Sequence, residues 1–233
     1  IPMGALIPAK TDGLIVCDKG VSVSNIANGS TRLQPVVLLT GQAAGIMAAK
    51  CVKEEIQPRL LRIRSVQDSL LKLKCYIMPF ADVMPDDASW EAVQRTGSMG
   101  ILQGEGKSID WENKMFFHPD TTAGCKELAM GLQKAFNAKP VNELMTDSLL
   151  TIEKTAACIL AYKPYLLSDK MLFIYGTRQP DHFFDGHTWR EQLKLQNFNL
   201  QRAITRKELA VVLSYYSGNF TNNDIDFEGR IKK

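Results

Sequence analysis

The sequence lacks most features that would assign it to a common class of binding protein. Its five cysteines stand singly, with no CxxC or other metal-ligand spacing, so we expect buried free thiols, and neither structural zinc nor a disulfide scaffold. The 28 Lys and Arg residues nearly balance the 25 Asp and Glu residues without forming a basic cluster, so nucleic acid is not an expected partner. No run of about 18 apolar residues occurs, and no membrane span is expected.

The chain is nevertheless large enough to fold. It has 233 residues, of which 45% are hydrophobic, which is sufficient for one large or two modest domains with their own cores. It begins at Ile1 without an initiator methionine or a signal-peptide pattern. We therefore expect a longer precursor that carries the targeting signal upstream.

Residues 1–57 are rich in small side chains and show a strand-loop-helix pattern. We predict an extended entry, a buried apolar strand at residues 14–17, a loop at residues 25–32 and a helix that begins near Pro35.

Small residues recur on one face of the helix that begins near Pro35. Gly41, Gly45 and Ala48 are spaced to lie together. They could simply let the helix pack tightly on a sheet. Alternatively, a flat ring could approach the thin face, and the positive end of the helix dipole would favour negative charge there.

Several short blocks occur in a fixed order along this segment, among them Gly29-Ser30-Thr31-Arg32 and Gly41-Gln42-Ala43-Ala44-Gly45. They resemble the closing segment of the FAD-dependent oxidoreductase family, some members of which are named xanthan lyase. The resemblance implies that FAD is the cofactor of the full-length parent. It places four residues near the flavin: Ser30, Arg32, Gly41 and Gln42.

The chain contains no Gly-x-Gly-x-x-Gly loop of the kind that holds a dinucleotide pyrophosphate. We therefore do not expect this chain alone to bind FAD or to be active. The missing N-terminal part of the same protein is the partner that it would need.

The remainder of the sequence is predominantly helical in pattern. Residues 58–85 are expected to form a helix, at about residues 63–76, and a linker, and residues 86–233 a helical accessory domain. Within that domain Trp90, Val93, Gly97 and Ile101 recur at helical spacing up to a break at residues 100–104, which predicts a helix there. Helices of three successive units should follow at residues 126–136, 151–161 and 205–216.

The segments Gly100-Ile101-Leu102-Gln103-Gly104, Phe117-His118-Pro119-Asp120 and Thr205-Arg206-Lys207-Glu208 resemble the S-layer homology domain. That resemblance implies cell-wall polysaccharide binding by Thr205, Arg206 and Glu208. The corresponding Gly124-Cys125-Lys126-Glu127 and Thr151-Ile152-Glu153-Lys154 lack the arginine. The same Thr-x-x-Glu pattern is also a capping box, which satisfies the backbone N–H groups of the first helical turn without any ligand.

A metal-binding alternative exists in the loop Asp181-His182-Phe183-Phe184-Asp185-Gly186-His187, which holds two histidines and two carboxylates. Structural zinc prefers a fuller set of Cys and His ligands, and no third histidine lies nearby. We therefore predict no metal site.

The sequence thus predicts an α+β chain: a strand-loop-helix remnant of an FAD-binding α/β domain (residues 1–57), a helix and linker (58–85), and a helical domain of about three degenerate units (86–233). The expected function is that of a non-catalytic C-terminal fragment of a secreted or periplasmic flavin-dependent oxidoreductase, with the helical domain as scaffold or partner surface. Two alternatives remain open, a cell-wall polysaccharide-binding module and part of a polysaccharide (xanthan) lyase.

Overall fold

The computed structural model describes residues 1–139, 145–167, 188–218, 220 and 224–226. The chain divides into two compact units. The N-terminal unit contains Ile1–Ile77 together with residues 224–226, and the C-terminal unit lies within Met78–Asn222. Helices predominate, and a two-stranded antiparallel sheet accompanies them. The predicted α+β, mainly helical class is therefore confirmed.

The N-terminal unit is built on three helices, α1 (Asn25–Thr31), α2 (Gln34–Glu54) and α3 (Ile63–Lys72). Single 3-10 turns occur at Met3–Leu6, Asp18–Gly20 and Pro58–Leu60. Helices α2 and α3 pack together because both present apolar side chains at helical spacing. Their shared core consists of Leu6, Val21, Ala44, Met47, Leu61, Val66 and Leu70.

Helix α2 starts where the sequence predicts, with Pro35 in its first turn. It ends at Glu54, before the predicted end of the segment at residue 57, because Glu55 adopts a left-handed conformation with φ of 53°. By length and composition alone, its 21 residues could cross a membrane, a criterion that core helices of soluble proteins also meet. The absence of a membrane span stays a prediction.

Two local predictions for the N-terminal segment are wrong. Residues 14–17 do not pair as a strand with any part of the chain that the structure describes, because an apolar run supplies no partner strand by itself. Most of residues 25–32, expected as a loop, form α1, since the Ser24 Oγ accepts a hydrogen bond from the Ala27 N–H and caps the first turn.

The C-terminal unit begins with α4 (Trp90–Ser98) and a β-hairpin of β1 (Glu105–Ile109) and β2 (Glu112–Phe116). It continues with α5 (Cys125–Phe136), α6 (Ile152–Ala161), the short α7 (Lys163–Leu166) and α8 (Arg206–Tyr216). The predicted starts of α5, α6 and α8 are confirmed to within one residue, and α4 confirms that the segment from Trp90 is helical, whereas the hairpin was not predicted. The largest fully buried side chains of this unit are Trp90, Trp189, Tyr162, Tyr216, Phe80, Phe117 and Phe220.

Part of the segment predicted as helix and linker belongs to the C-terminal unit. Phe80 and Val83 are buried, and the Ala81 N–H donates to the Met115 carbonyl at 2.8 Å. The unit boundary falls between Ile77 and Met78. Because Phe80 and Val83 pack into the core of the C-terminal unit, the linker is shorter than the predicted segment of residues 58–85 suggests.

The starts of α5, α6 and α8 are joined by a closed cycle of backbone hydrogen bonds. The Ala123 N–H donates to the Ile204 carbonyl (3.0 Å), the Ile204 N–H to the Leu150 carbonyl (2.9 Å), and the Leu150 N–H to the Ala123 carbonyl (2.9 Å). All three residues are fully buried. Two further sets of three hydrogen bonds run around the helix starts in the opposite direction. The N–H groups of Cys125, Ile152 and Arg206 donate to the carbonyls of Ser148, Arg202 and Thr121, and those of Lys126, Glu153 and Lys207 donate to the carbonyls of Thr146, Leu200 and Pro119.

Side chains repeat this threefold pattern. The second residue of each helix contacts the loop that precedes another of the three helices, in the pairs Lys126–Asp147 (3.3 Å), Glu153–Gln201 (2.7 Å) and Lys207–Asp120 (2.6 Å). The three helix starts are therefore equivalent about a pseudo-threefold axis. This confirms that Gly124, Thr151 and Thr205 occupy corresponding positions, as the sequence comparison of the three units predicts.

Candidate functional site

The four residues that the first resemblance places near a flavin lie along α1 and α2. Ser30 and Arg32 are exposed at the end of α1, directly before the start of α2, and the Ser30 hydroxyl donates to the Ala27 carbonyl at 2.9 Å. Gly41 and Gln42 lie about 10 Å further along α2, on its exposed side. The structure thus places two of these residues at the helix start and two along one exposed side.

The exposed side of α2 is apolar and thin. Leu38 is 71% exposed and Val52 is 80% exposed. Between them, a side chain built on Gly41 or Gly45 would meet no atom within 4 Å. The glycines therefore do not serve tight packing within the described residues, which was the alternative interpretation of their spacing. We call Leu38, Gly41, Gly45 and Val52 the α2 face.

Two polar side-chain atoms on α1 lack partners among the described residues. The Asn28 Oδ1 and Thr31 Oγ1 atoms are buried without a hydrogen bond to any described residue, and they lie three positions apart on α1. An unsatisfied buried polar atom costs about 1–3 kcal/mol. The first turn of α2 also has no side-chain cap, which leaves the positive end of its dipole available.

These observations fit one side of a flavin. The exposed small-residue face suits a flat ring, and Arg32 with the uncapped helix start suits the negative charge of a reduced flavin. The pyrophosphate half of FAD has no counterpart, because the sequence contains no glycine-rich phosphate loop. The α2 face and Arg32 are thus compatible with the flavin ring of FAD but not with its pyrophosphate half.

Arg206, predicted to contact polysaccharide, is buried, and each of its guanidinium nitrogens has a protein partner. Nε donates to the Phe117 carbonyl at 2.8 Å, and Nη2 donates to the Gln103 carbonyl at 2.6 Å. Nη1 pairs with the Glu127 carboxylate, and the guanidinium lies 4.8 Å from the centre of the Phe117 ring. Arg206 therefore ties the loops before and after the hairpin to the start of α8.

The other two predicted polysaccharide contacts form a capping box. The Thr205 hydroxyl accepts from the Glu208 N–H, and the Glu208 carboxylate accepts from the Thr205 N–H at 3.0 Å. Glu208 also receives two hydrogen bonds from Arg202, at 2.9 and 3.0 Å. This geometry matches the ligand-free interpretation of the Thr-x-x-Glu pattern. Polysaccharide binding by these residues stays a prediction.

The charge of Glu208 depends on these contacts. Burial alone raises the pKa of its carboxyl group, but the hydrogen bonds from Arg202 and the Thr205 N–H outweigh burial, so the net pKa lies below the ordinary 4.5. A carboxylate with a lowered pKa in the folded state stabilises the fold above its ordinary pKa. That contribution is lost as the pH falls through the lower, folded value.

Glu208→Gln is accordingly expected to lower the free energy of unfolding at neutral pH by about 1–2 kcal/mol. The difference from the unchanged chain should shrink as the pH falls below 4.5. Urea unfolding at a series of pH values measures both effects. A difference that stays constant or grows in acid would show that the Glu208 charge does not stabilise α8.

The cysteines are free thiols, as predicted, but only two are buried. Cys125 and Cys158 are buried, Cys51 and Cys75 are half-buried, and Cys17 is exposed. Burial, together with the neighbouring Cys125, raises the pKa of Cys158 to about 12. Cys158 therefore stays protonated at neutral pH and is a packing residue and not a nucleophile.

The histidine-rich loop considered for a metal, Asp181 to His187, lies outside the described residues. Within the part of the chain that the structure describes, no group of three or more His, Cys, Asp or Glu side chains could hold a metal ion.

Sequence reasoning did not anticipate the partners of Arg206. Gln103 and Phe117 lie 103 and 89 residues away from Arg206. Gln103, Phe117 and Glu127 all lie in segments that were compared with the S-layer homology domain. That common resemblance was the one signal in the sequence that could have linked them to Arg206.

Comparison with known proteins finds a match over part of the chain. Residues 1–70 match the family model described as FAD dependent oxidoreductase. No curated protein and no solved structure matches the chain. The matched residues include α1, α2 and most of α3, and with them the whole α2 face. Residues 1–70 are therefore similar to a region of the FAD dependent oxidoreductase family.

Proposed function

We propose that this chain is the C-terminal part of a flavin-dependent oxidoreductase, in which residues 1–70 contribute one wall of the FAD-binding domain. The polypeptide that precedes residue 1 would supply the phosphate loop and the rest of the pocket. The observation that carries the proposal is the exposed α2 face within the segment that matches the family. The C-terminal unit then acts as a non-catalytic scaffold or partner surface.

FAD supplies electron transfer when it is bound. The residues of this chain would position it. Gly41 and Gly45 have no side chain and let the α2 backbone approach a ring closely. Arg32 and the first turn of α2 would supply positive charge to a bound flavin, which would favour its reduced, negatively charged form.

The energetics of the exposed surface support a missing partner. Ile26 on α1 is 92% exposed, and Leu38 and Val52 on α2 are also largely exposed. Burial of each such side chain contributes about 1.5–3 kcal/mol. Contact with the upstream part of the same protein would gain that free energy, which is not gained while these side chains are exposed to water.

The proposal is tested by the flavin content of the longer polypeptide that includes the sequence preceding residue 1. We expect that protein to be purified with a yellow chromophore, and mass spectrometry to identify FAD after denaturation. The 233-residue chain should be colourless and should take up no FAD in the same buffer. A longer protein without flavin would contradict the proposal.

A second candidate function is binding of cell-wall polysaccharide by the C-terminal unit. The threefold cycle of helix starts and the Thr205-Arg206-Lys207-Glu208 segment favour it. Beside that segment is an open depression of about 240 Å³, with Lys194, Gln196 and Asn197 exposed at its edge. A cation among amides suits an acidic sugar.

Retention on acidic cell-wall glycans tests this second candidate. Lys194→Ala combined with Gln196→Ala removes edge side chains outside the capping box, and it should reduce retention at least about tenfold if each contact contributes roughly 1 kcal/mol. Gln133→Ala, on a different surface, is the control. Equal retention of all three proteins would exclude glycan binding at this depression.

Membership in a polysaccharide lyase is supported only by the name of some relatives of the resembled family, and a secreted or periplasmic location by the same resemblance. An absorbance assay for unsaturated uronate products tests the lyase activity directly. Xanthan degraded without a rise in absorbance, or not degraded at all, would exclude it.

A further inference from the structure

Trp111 is fully exposed at the tip of the β-hairpin, with 102% of its reference surface accessible. Asp110 and Trp111 form the two-residue turn between the paired ends Ile109 and Glu112, and Asp110 adopts the left-handed conformation with φ of 54° that such turns require. The indole is therefore free of contacts with the described residues of its unit. Tryptophan is among the residues most enriched at the energetic centres of protein interfaces.

Contacts along and below the hairpin order the backbone that carries this indole. Ion pairs join Lys107 to Glu105 at 3.2 Å and Lys114 to Glu112 at 2.7 Å along the two strands. At the base, the Ala81 N–H donates to the carbonyl of Met115. A side chain presented on a paired hairpin loses less conformational entropy on binding than one on an open loop.

The same unit contains a depression of about 590 Å³ beside α5. Its floor is formed by Ile101 and Gly131, and Met130, which is 51% exposed, forms an apolar side. Lys134 stands at the edge with an exposed side chain. The volume lies in the range that accommodates small ligands and exceeds what one indole needs.

We infer that Trp111 of one copy of this chain inserts into the α5 depression of a second copy. The apolar floor and Met130 would cover the indole, and sulfur contacts with aromatic rings are favourable. Charge complementarity favours a second copy: Asp110, beside the indole, carries the sign opposite to Lys134 at the edge, while the Glu127 carboxylate in the lining is already paired with Arg206. Because Trp111 and the α5 depression lie at different places on one chain, the contact is head-to-tail. Repetition of such a contact generates chains or rings.

The acidic residues at the tip disfavour a membrane as the occupant. Asp110 and Glu112 flank Trp111 on both sides, and anionic lipid headgroups repel such a segment. A tip of this charge suits a pocket with a basic edge, as the α5 depression provides.

The test compares the 233-residue chain with Trp111→Ala, which keeps the depression, and Lys134→Glu, which keeps the indole. Sedimentation velocity over a wide concentration range should show a weight-average mass that rises with concentration for the unchanged chain. Each variant alone should raise the apparent dissociation constant at least about 30-fold. Leu149→Ala, an exposed apolar residue elsewhere in the unit, is the control and should associate normally.

An equimolar mixture of the two variants distinguishes this contact from association through the N-terminal unit. The indole of the Lys134→Glu protein can enter the intact depression of the Trp111→Ala protein, so the mixture should form one-to-one dimers. Acrylamide quenching of the exposed tryptophan should fall at the same time. A monomeric unchanged chain, unaltered association of Trp111→Ala, or a mixture that stays monomeric would overturn the inference.

Discussion

Replacement of Arg206 by alanine is expected to lower the free energy of unfolding of the C-terminal unit by about 3 kcal/mol. The change removes two hydrogen bonds to the carbonyls of Phe117 and Gln103. It also leaves the Glu127 carboxylate without its ion-pair partner and exposes one face of the Phe117 ring. Loss of a buried charge partner costs more than the pair itself contributes.

Urea unfolding followed by the emission of the buried Trp90 and Trp189 measures this loss. The double variant Arg206→Ala with Glu127→Ala should lose less than the sum of the single variants, because the two residues form one pair. A loss below about 1 kcal/mol, or full additivity, would contradict the structural role. If Arg206→Ala destabilises the unit as expected, a loss of glycan retention in this variant could result from unfolding as readily as from a lost contact.

Gly131→Ala is expected to destabilise the same unit by about 2–3 kcal/mol. A Cβ at this position of α5 would lie deep inside the contact distance of the Ile101 carbonyl oxygen. The obstacle is backbone, so it cannot move aside as a flexible side chain would. The clash should outweigh the roughly 0.5–1 kcal/mol that alanine gains over glycine within a helix.

Gly45→Ala is the matched control for this prediction, since it also replaces a glycine inside a helix. A Cβ there meets no atom within 4 Å, so this variant should be neutral or slightly more stable. Thermal unfolding of both variants separates packing from helix propensity. Equal midpoints would show that α5 does not approach residue 101 as closely as described.

The helix starts were predictable from the sequence because their signals are local. Pro35 in the first turn of α2 and the threonines before α6 and α8 act within three or four residues of the helix start. The two helices with a threonine cap, α6 and α8, start one residue after their predicted first residues. Helix α1 was missed because the segment between Asn25 and Arg32 contains a glycine and two asparagines, which favour loops.

The elements that sequence reasoning missed depend on distant residues. Residues 14–17 have the composition of a buried strand, but strand pairing requires a partner that composition does not name. The hairpin tip carries charged residues and an exposed Trp111 in place of the usual Asn-Gly or Asp-Gly turn. The threefold cycle joins residues from Pro119 to Lys207, a separation that a local pattern does not encode.

The candidate flavin surface was predictable only through its motifs. The spacing of Gly41 and Gly45 equally suited close packing on a sheet. Their exposure in the structure removes that alternative for the described residues. The buried, unpaired oxygen atoms of Asn28 and Thr31 are a three-dimensional feature that the sequence alone does not reveal.

The central claim is that the α2 face is covered by the upstream part of the same protein and its flavin. Gly45→Phe tests it, because the ring would project into open space in the 233-residue chain but would collide with whatever covers the face in the longer protein. The measurement is the bound FAD per polypeptide in the longer protein, with and without the substitution. We predict bound FAD without it and at least tenfold less with it, while thermal unfolding of the 233-residue chain stays unchanged. Equal flavin content in the two longer proteins would contradict the claim.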